Sequence, residues 1–206
     1  MMQVTRKTNE SKIEVRLDPM GLGPDYKKGL YTPCAMLSHM LEHIAYRSGI
    51  GIAVDCCYDD GFSLPHVLFE DLGITLGRAF AELLEVQRAQ GAYGFGDAVG
   101  LIDEAYARAA FSFESRALFV FDSKVAIPVL CEDCKSEDLH TFLDGFCQGA
   151  RCTLHLDVCK GENSHHIWEA CYRAVGSALE QVFTKNPARA GKTSGVAGAI
   201  TFEIEV

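Results

Sequence analysis

The sequence lacks long apolar runs, basic runs and regularly spaced cysteines, and each absence argues against a class of protein. No stretch reaches the roughly 18 apolar residues of a membrane-spanning helix, and residues 1–7 lack the apolar core of a secretory signal. No stripe of Lys and Arg indicates nucleic-acid binding. The nine cysteines are an odd number without the pattern of a disulfide framework. We therefore expect a cytoplasmic protein with no nucleic acid and no membrane as partner.

The composition is that of a folded chain. Of 206 residues, 48% are hydrophobic and 23% are charged, and the formal net charge is −9. The length suits one large domain or two domains of about 100 residues each. Most cysteines are expected to be small buried residues, because Cys131-x-x-Cys134 has zinc-like spacing but no partner pair.

Periodicity predicts alternating strands and helices. Strands are indicated at 12–18, 30–33, 50–57, 109–113, 116–121, 152–158 and 199–204, with 109–113 and 116–121 forming a pair. Helices are indicated at 35–47, 65–89 and 137–147, and in a long segment that ends near residue 182. A polar turn is predicted at 59–61, and residues 98–107 look irregular or briefly helical.

The clearest chemical signal is the stretch Asn163-Ser164-His165-His166-Ile167-Trp168-Glu169. On a helix, His165 and Glu169 lie one turn apart on one face, and His166 points roughly 100 degrees away. One pair could therefore bind one metal ion while the other histidine reaches toward a second. Taken alone, the stretch is more often an ordinary helix start whose polar residues are incidental.

The chain contains this motif, a histidine followed four residues later by a glutamate, twice. His66 and His165 are 99 positions apart, as are Glu70 and Glu169. Asp55 and Asp157 are 102 positions apart, as are His39 and Thr141. We therefore predict an α+β fold of two tandem similar halves, residues 1–92 and residues 93–206, the second with a C-terminal tail.

Superposing the halves pairs the candidate ligands into two equivalent sites. A complete site would offer three histidines and one carboxylate, a set that suits manganese, iron or zinc better than calcium. Each site lacks one histidine, because Val67 stands opposite His166 and Thr141 stands opposite His39. The repeat makes metal binding the favoured interpretation of the stretch.

Seven short motifs resemble one known family in both order and spacing. They are Lys7-Thr8-Asn9-Glu10, Ser38-His39-Met40-Leu41, His66-x-x-x-Glu70-Asp71, Asp103-Glu104-Ala105, Ser115-Arg116, Thr153-Leu154-His155 and Gly161-Glu162-Asn163-Ser164-His165-His166-Ile167. The last motif is the most specific. From about residue 5 to residue 185 the chain resembles imidazoleglycerol-phosphate dehydratases.

This resemblance implies a duplicated fold, in which each half is a four-stranded sheet with helices packed on one face, as in the second domain of ribosomal protein S5. It implies a metal-dependent lyase that removes water from imidazoleglycerol phosphate, a small phosphorylated imidazole of histidine biosynthesis. It also implies a large homo-oligomer, a 24-subunit particle built from trimers, with two manganese ions per site between neighbouring subunits.

The resemblance also assigns metal ligands to this sequence. One ion would be held by His39, His165 and Glu169, with the family's fourth ligand falling on Val67. The other ion would be held by His66, Glu70 and His166, with the fourth ligand falling on Thr141. His140, one position away from Thr141, is a candidate substitute.

The substrate-binding residues depart further from the family pattern. Glu10 matches a catalytic glutamate that contacts the substrate, and Arg116 matches a phosphate-binding arginine. A second family arginine falls on Gly94, and Lys192 and Ser194 offer the chemistry of the family's C-terminal Ser-x-Lys in the wrong order. A single arginine binds phosphate more weakly than a pair of them.

The favoured function is a working dehydratase, because both His–Glu pairs are retained. The alternatives are a metal-binding homologue with a changed substrate and an inactive homologue that keeps only the assembly. Single residues also have plainer roles. His43 is expected on the helix surface near the site, and Glu104 is either catalytic or a helix-cap carboxylate. His155 is expected to be satisfied in the core or at an interface, and Trp168 to belong to the core.

Overall fold

The computed structural model describes residues 1–58 and 64–205. Its strands are β1 (Met2–Lys7), β2 (Ser11–Asp18), β3 (Gly51–Tyr58), β4 (Phe95–Ile102), β5 (Ala105–Ser112), β6 (Leu118–Ser123), β7 (Leu130–Cys131), β8 (Cys134–Lys135) and β9 (Thr153–Lys160). Its helices are α1 (Ala35–Ser48), α2 (Pro65–Gln87), α3 (Ser136–Ala150) and α4 (Ser164–Val182). The turn predicted at 59–61 lies outside the described residues.

The strands form one main sheet in each half of the chain. β1, β2 and β3 form an antiparallel sheet in that order, while β4, β5, β9 and β6 form a four-stranded sheet in which β6 runs parallel to β9. α3 makes the crossover that two parallel strands require. The short strands β7 and β8 pair with each other. The predicted α+β class is confirmed.

The first sheet has three strands in the described part of the chain, where four were predicted. The strand predicted at 30–33 is wrong, because this segment stabilises the start of α1 instead. The Thr32 amide donates to Ser38 Oγ at 2.9 Å, and the Thr32 hydroxyl donates to the Cys34 carbonyl at 2.8 Å. β1 is a strand that the sequence pattern does not reveal.

The hairpin of β4 and β5 replaces the irregular or helical segment predicted at 98–107, and β5 and β6 flank β9 instead of pairing with each other. Small residues explain the hidden strand signal. A Cβ on Gly100 would lie 1.9 Å from the carbonyl oxygen of Ala170 on α4, so this part of β4 stays small to let the helix approach. Residues 199–204, predicted as a strand, lie in no strand or helix.

The four helices pack between the two sheets. α2 packs on β1 and β2 and against α3, while α4 packs on β4 and β5 and against α1. Alternate residues of β2, such as Ile13, Val15 and Leu17, are fully buried. Each helix pair therefore joins the two halves, whose boundary at residues 92 and 93 stays a prediction. No helix within the described ranges combines the length and apolar content needed to cross a membrane.

Glycines let the paired helices come close together. On α2, a Cβ added to Gly77 would lie 2.1 Å from the carbonyl oxygen of Phe146 on α3. On α4, a Cβ added to Gly176 would lie 2.8 Å from the carbonyl oxygen of His43 on α1. The second crossing brings the two helices that carry the first set of candidate ligands side by side.

Candidate metal centre

The start of α4 positions both histidines of the His-His-x-x-Glu stretch. Asn163 caps the helix, and its side-chain oxygen accepts the backbone N–H groups of His165 at 2.8 Å and of His166 at 3.3 Å. Because the helix begins at Ser164, His165 and Glu169 lie one turn apart on the same face.

Three predicted ligands of the first ion lie together where α1 contacts α4. They are His39, His165 and Glu169, whose candidate ligand atoms all lie within 4.8 Å of one another. The Nε2 atoms of His165 and His39 lie 3.1 Å and 3.5 Å from Glu169 Oε2. The structure therefore joins a histidine of the first half to a His–Glu pair of the second.

His43 joins this cluster, so it lies near the site as expected, but its expected place on the helix surface is wrong. Its side chain is only 14% exposed, and its Nε2 lies 3.2 Å from Glu169 Oε1. The same atom lies 3.3 Å from His39 Nε2. The signal that could have found it is its spacing from His39, since residues four apart share one face of a helix.

Carboxylates face the Nδ1 atoms of three histidines. The pairs are Glu42 with His39 at 3.5 Å, Glu132 with His165 at 3.0 Å and Glu104 with His166 at 2.8 Å. A carboxylate on Nδ1 holds the proton there and leaves the Nε2 lone pair available to a metal ion, as is common for histidine ligands. These contacts orient the rings.

Glu104 also fixes the start of α4. It accepts the backbone N–H groups of Glu162 at 3.2 Å and Asn163 at 2.9 Å. The Asn163 N–H and the His166 ring lower the pKa of Glu104 to about 2, and the hydrogen bond that the His166 ring donates to Glu104 raises the pKa of His166. Of the two roles considered for Glu104, this geometry favours the carboxylate that caps the helix.

The charges in the cluster suit a divalent cation. Burial opposes ionisation of Glu169, but the neighbouring His43 and the Arg173 guanidinium, which donates to Glu169 Oε1, outweigh it and hold the Glu169 pKa below its usual range. Burial lowers the pKa of His43 to about 4. At neutral pH the cluster therefore contains an ionised carboxylate and the neutral His43 imidazole, the forms in which these groups bind metals.

The spacing of the donor atoms also fits a metal ion. The Nε2 atoms of His165 and His39 lie 3.1 Å and 3.5 Å from Glu169 Oε2, and His43 Nε2 lies 3.2 Å from the other oxygen, Oε1. In a tetrahedral shell with metal–nitrogen bonds of about 2.1 Å, neighbouring ligand atoms lie about 3.4 Å apart. Imidazole and carboxylate together suit manganese, iron or zinc.

The predicted ligands of the second ion are not together. His66 Nε2 lies 3.6 Å from Glu70 Oε2, and both side chains are exposed on α2. His166 forms no ligand-sized group with them in the described residues. Their roles as ligands stay predictions.

His140, the candidate substitute for Thr141, has its ring against the second sheet. It packs on Phe119 and Phe121, with ring centroids 4.8 Å and 5.5 Å away. Trp168 stacks on the same Phe121 and is 1% exposed, so its predicted place in the core is confirmed. His140 therefore lies in an aromatic contact rather than in a ligand cluster.

Glu10 lies on the α2 side of the molecule. It is exposed in the turn between β1 and β2, and its neighbour Ser11 donates to Asp71 on α2. Arg6 pairs with the same carboxylate at 2.7 Å. These contacts hold the turn beside the segment of α2 that carries Glu70.

The C-terminal tail covers Gly94, where the family pattern has an arginine. A Cβ on Gly94 would lie 1.8 Å from Ser194 Oγ, so the tail occupies the space that a side chain would need. Arg189 holds the tail by stacking over Tyr93 at 5.1 Å. Lys192 and Ser194 therefore lie near the missing arginine, and Arg116 is exposed in the loop before β6.

The Cys131-x-x-Cys134 segment is a turn that serves both ligand-bearing helices. Glu132 in this turn contacts His165, and Asp133 accepts the backbone N–H groups of Ala35 at 2.6 Å and Met36 at 2.9 Å. All nine cysteines are free, and six of them are buried, as predicted. The thiols of Cys34 and Cys134 lie in one group with Asp133.

Asp133→Ala is expected to lower the free energy of unfolding by about 1 kcal/mol, the usual cost of losing a helix-capping side chain. Burial opposes ionisation of Asp133, but the N–H groups of Met36 and Ala35 hold its pKa below the usual range. Because the pKa of Asp133 is lower in the folded than in the unfolded protein, its carboxylate stabilises the fold at pH values above the unfolded pKa. The variant should therefore show the full loss of unfolding free energy near pH 7 and a smaller loss below about pH 4. Urea unfolding at several pH values measures it.

The matched control for this experiment is Asp97→Ala, which removes an exposed carboxylate from β4. Its stability should stay within about 0.5 kcal/mol of the parent chain. Equal losses in the two variants would contradict the capping role of Asp133.

Fold and cluster together define the class: a duplicated α+β protein with a His- and Glu-lined candidate metal centre where its halves meet. The family model described as imidazoleglycerol-phosphate dehydratase matches residues 32–179. The chain belongs to the imidazoleglycerol-phosphate dehydratase family.

Individual relatives agree with this assignment. The imidazoleglycerol-phosphate dehydratase of an Azoarcus species is 35% identical over 200 residues, covering 96% of this chain and 97% of the relative. That of Archaeoglobus fulgidus is 35% identical over 186 residues, covering 90% and 93%. The crystal structure of the Pyrococcus furiosus enzyme has a TM-score of 0.76 at 30% identity, covering 95% and 99%. The Staphylococcus aureus structure, at 23% identity and a TM-score of 0.71, shares the fold over 90% of this chain and all of its own. The expectation of a hydro-lyase of this family is confirmed.

Proposed function

We propose that the chain is a metal-dependent dehydratase that eliminates water from imidazoleglycerol phosphate in histidine biosynthesis. The observation that carries this proposal is the grouping of His39, His165 and Glu169, the three residues that the family resemblance assigns to one ion. Ordinary core packing would not require two histidines to point their Nε2 atoms at one buried carboxylate.

A divalent ion, manganese in this proposal, would hold the substrate's imidazole ring and favour its deprotonated form, which assists loss of the hydroxyl. The chain's own groups prepare that binding. Arg173 keeps Glu169 ionised, and Glu132 keeps the His165 proton on Nδ1. Glu10 is the proposed catalytic residue that contacts the substrate and moves a proton.

We also propose that the second ion is bound between subunits of a large homo-oligomer built from trimers. His66 and Glu70 form an exposed pair of side chains four residues apart. Two ligands on the surface of one helix are too few for a tight metal site. A neighbouring chain would complete it with His166, whose ring is oriented by the contact of its Nδ1 with Glu104. Assembly and the second site therefore belong to one proposal.

A metal-binding homologue with a changed substrate is the second candidate. The specific observation in its favour is at the proposed phosphate end, where Gly94 replaces an arginine and the tail fills the vacated space. Glu114 lies against Gly195 in the same tail, and a Cβ there would be 2.3 Å from its Oε2. A carboxylate beside the proposed Arg116 and Lys192 site disfavours a phosphate dianion.

The deciding experiment measures bound metal in the purified protein and then water loss from imidazoleglycerol phosphate with added manganese. We expect metal to copurify and turnover to depend on it, so that chelation abolishes activity and manganese restores it. Metal binding without turnover would support the changed substrate instead. A protein that takes up no metal and forms no product would contradict both candidates and leave the inactive homologue.

A further inference from the structure

The first metal cluster contains one more histidine than the family pattern assigns to it. That pattern puts a fourth ligand at position 67, where this chain has Val67, which has no donor atom. His43 is not one of the assigned ligands, yet it is the only other imidazole in the described residues whose ring nitrogen lies within 4 Å of Glu169, beside those of His39 and His165.

The position of His43 is built by the fold. It follows His39 by one turn of α1, and the rings meet edge to face with centroids 4.6 Å apart. Gly176 lets α4 approach the backbone of His43 closely, which directs the ring toward Glu169. His43 lies outside the group of His39, His165 and Glu169, whose ligand atoms are mutually within 4.8 Å. Its Nε2 nevertheless lies 3.3 Å from His39 Nε2 and 3.2 Å from Glu169 Oε1, distances expected between neighbouring ligands of one ion.

We propose that His43 is a metal ligand, and that it completes a four-residue site with His39, His165 and Glu169 within a single chain. The missing histidine at position 67 is thereby replaced from α1, so this ion needs no ligand from a neighbouring subunit. The ligand class is a divalent transition metal with affinity for imidazole nitrogen and carboxylate oxygen. This inference rests on the proposed metal dependence and changes which residues bind the metal ion.

The test compares His43→Gln with the parent chain and with His155→Gln, a matched control on β9 whose side chain is exposed and outside the cluster. Manganese alone is the probe. Titration calorimetry measures its dissociation constant, and pulsed electron paramagnetic resonance counts the imidazole nitrogens bound to it. For His43→Gln we expect at least about tenfold weaker binding at one site and one fewer nitrogen, with His155→Gln unchanged.

The outcomes distinguish a wrong role for His43 from a wrong proposed function. Unchanged affinity and nitrogen count in His43→Gln, in a parent chain that binds manganese and turns over, would overturn the role of His43 and leave the proposed function intact. Weaker binding with an unchanged nitrogen count would show that His43 only positions Glu169, which also overturns the ligand role. If the parent chain binds no manganese, the proposed function fails together with this inference. Thermal unfolding of all three proteins controls for misfolding.

Discussion

Glu169→Gln is expected to weaken manganese binding at the first site by at least about 100-fold, and to lower dehydration turnover by a similar factor. The carboxylate is 4% exposed, and the Nε2 atoms of His39, His43 and His165 all lie within 3.5 Å of it. A neutral amide keeps the size of the side chain but removes the negative charge that a divalent ion requires. It also leaves the Arg173 guanidinium without its counter-charge, which further repels a cation.

Manganese titration and steady-state kinetics measure this effect, with Glu82→Gln as the matched control. Glu82 also pairs with an arginine four residues away on a helix, but that pair is exposed on α2. Exposed pairs of this kind contribute little, so Glu82→Gln should keep its metal and its turnover. An unchanged metal content in Glu169→Gln would remove Glu169 from the ligand set and would contradict a metal centre at His39, His165 and Glu169.

The local part of the candidate centre could be predicted from the sequence because helical spacing decides it. His165 and Glu169, like His66 and Glu70, are four residues apart and must share a helix face. Placing His39 with the first pair needed the family resemblance, since nothing in the spacing from residue 39 to residue 165 shows that two helices cross. His43 was missed for the same reason, because its burial depends on where α4 packs.

The secondary structure could likewise be predicted from the sequence only in part. Helices with regular apolar stripes are within a few residues of their predicted ranges, as α1 and α4 show. β4 and the first part of β5 escaped prediction because their composition serves packing. β4 and β5 are rich in Gly and Ala because α4 lies directly on them, and this weakens the β-branched signal of a strand. The segment 30–33 has strand-like residues, but capping of α1 uses its hydrogen-bonding groups.

Gly77→Ala is expected to destabilise the protein by about 2 kcal/mol, although alanine is the better helix former. In an isolated helix the change would gain about 1 kcal/mol. Here the added Cβ would lie 2.1 Å from the carbonyl oxygen of Phe146 and 2.9 Å from the backbone nitrogen of Ala150. Both are backbone atoms, so no side chain can rotate away, and α2 and α3 must separate. Overpacking of this kind costs typically 1–3 kcal/mol. The upper end, offset by the gain of about 1 kcal/mol in helix propensity, leaves the net loss of about 2 kcal/mol.

Thermal and urea unfolding of Gly77→Ala and Gly23→Ala test this explanation. A Cβ on Gly23 would meet nothing within 4 Å, and this residue lies outside the helices and strands. The variant therefore controls for the loss of glycine's backbone freedom without crowding and without the gain in helix propensity. The unfolding temperature of Gly77→Ala should be several degrees lower than that of the parent chain, since each kcal/mol corresponds to about 2–4 degrees. That of Gly23→Ala should differ little from the parent. A stabilised Gly77→Ala would mean that α2 and α3 can separate at no cost. The crossing that joins the two halves would then not depend on glycine.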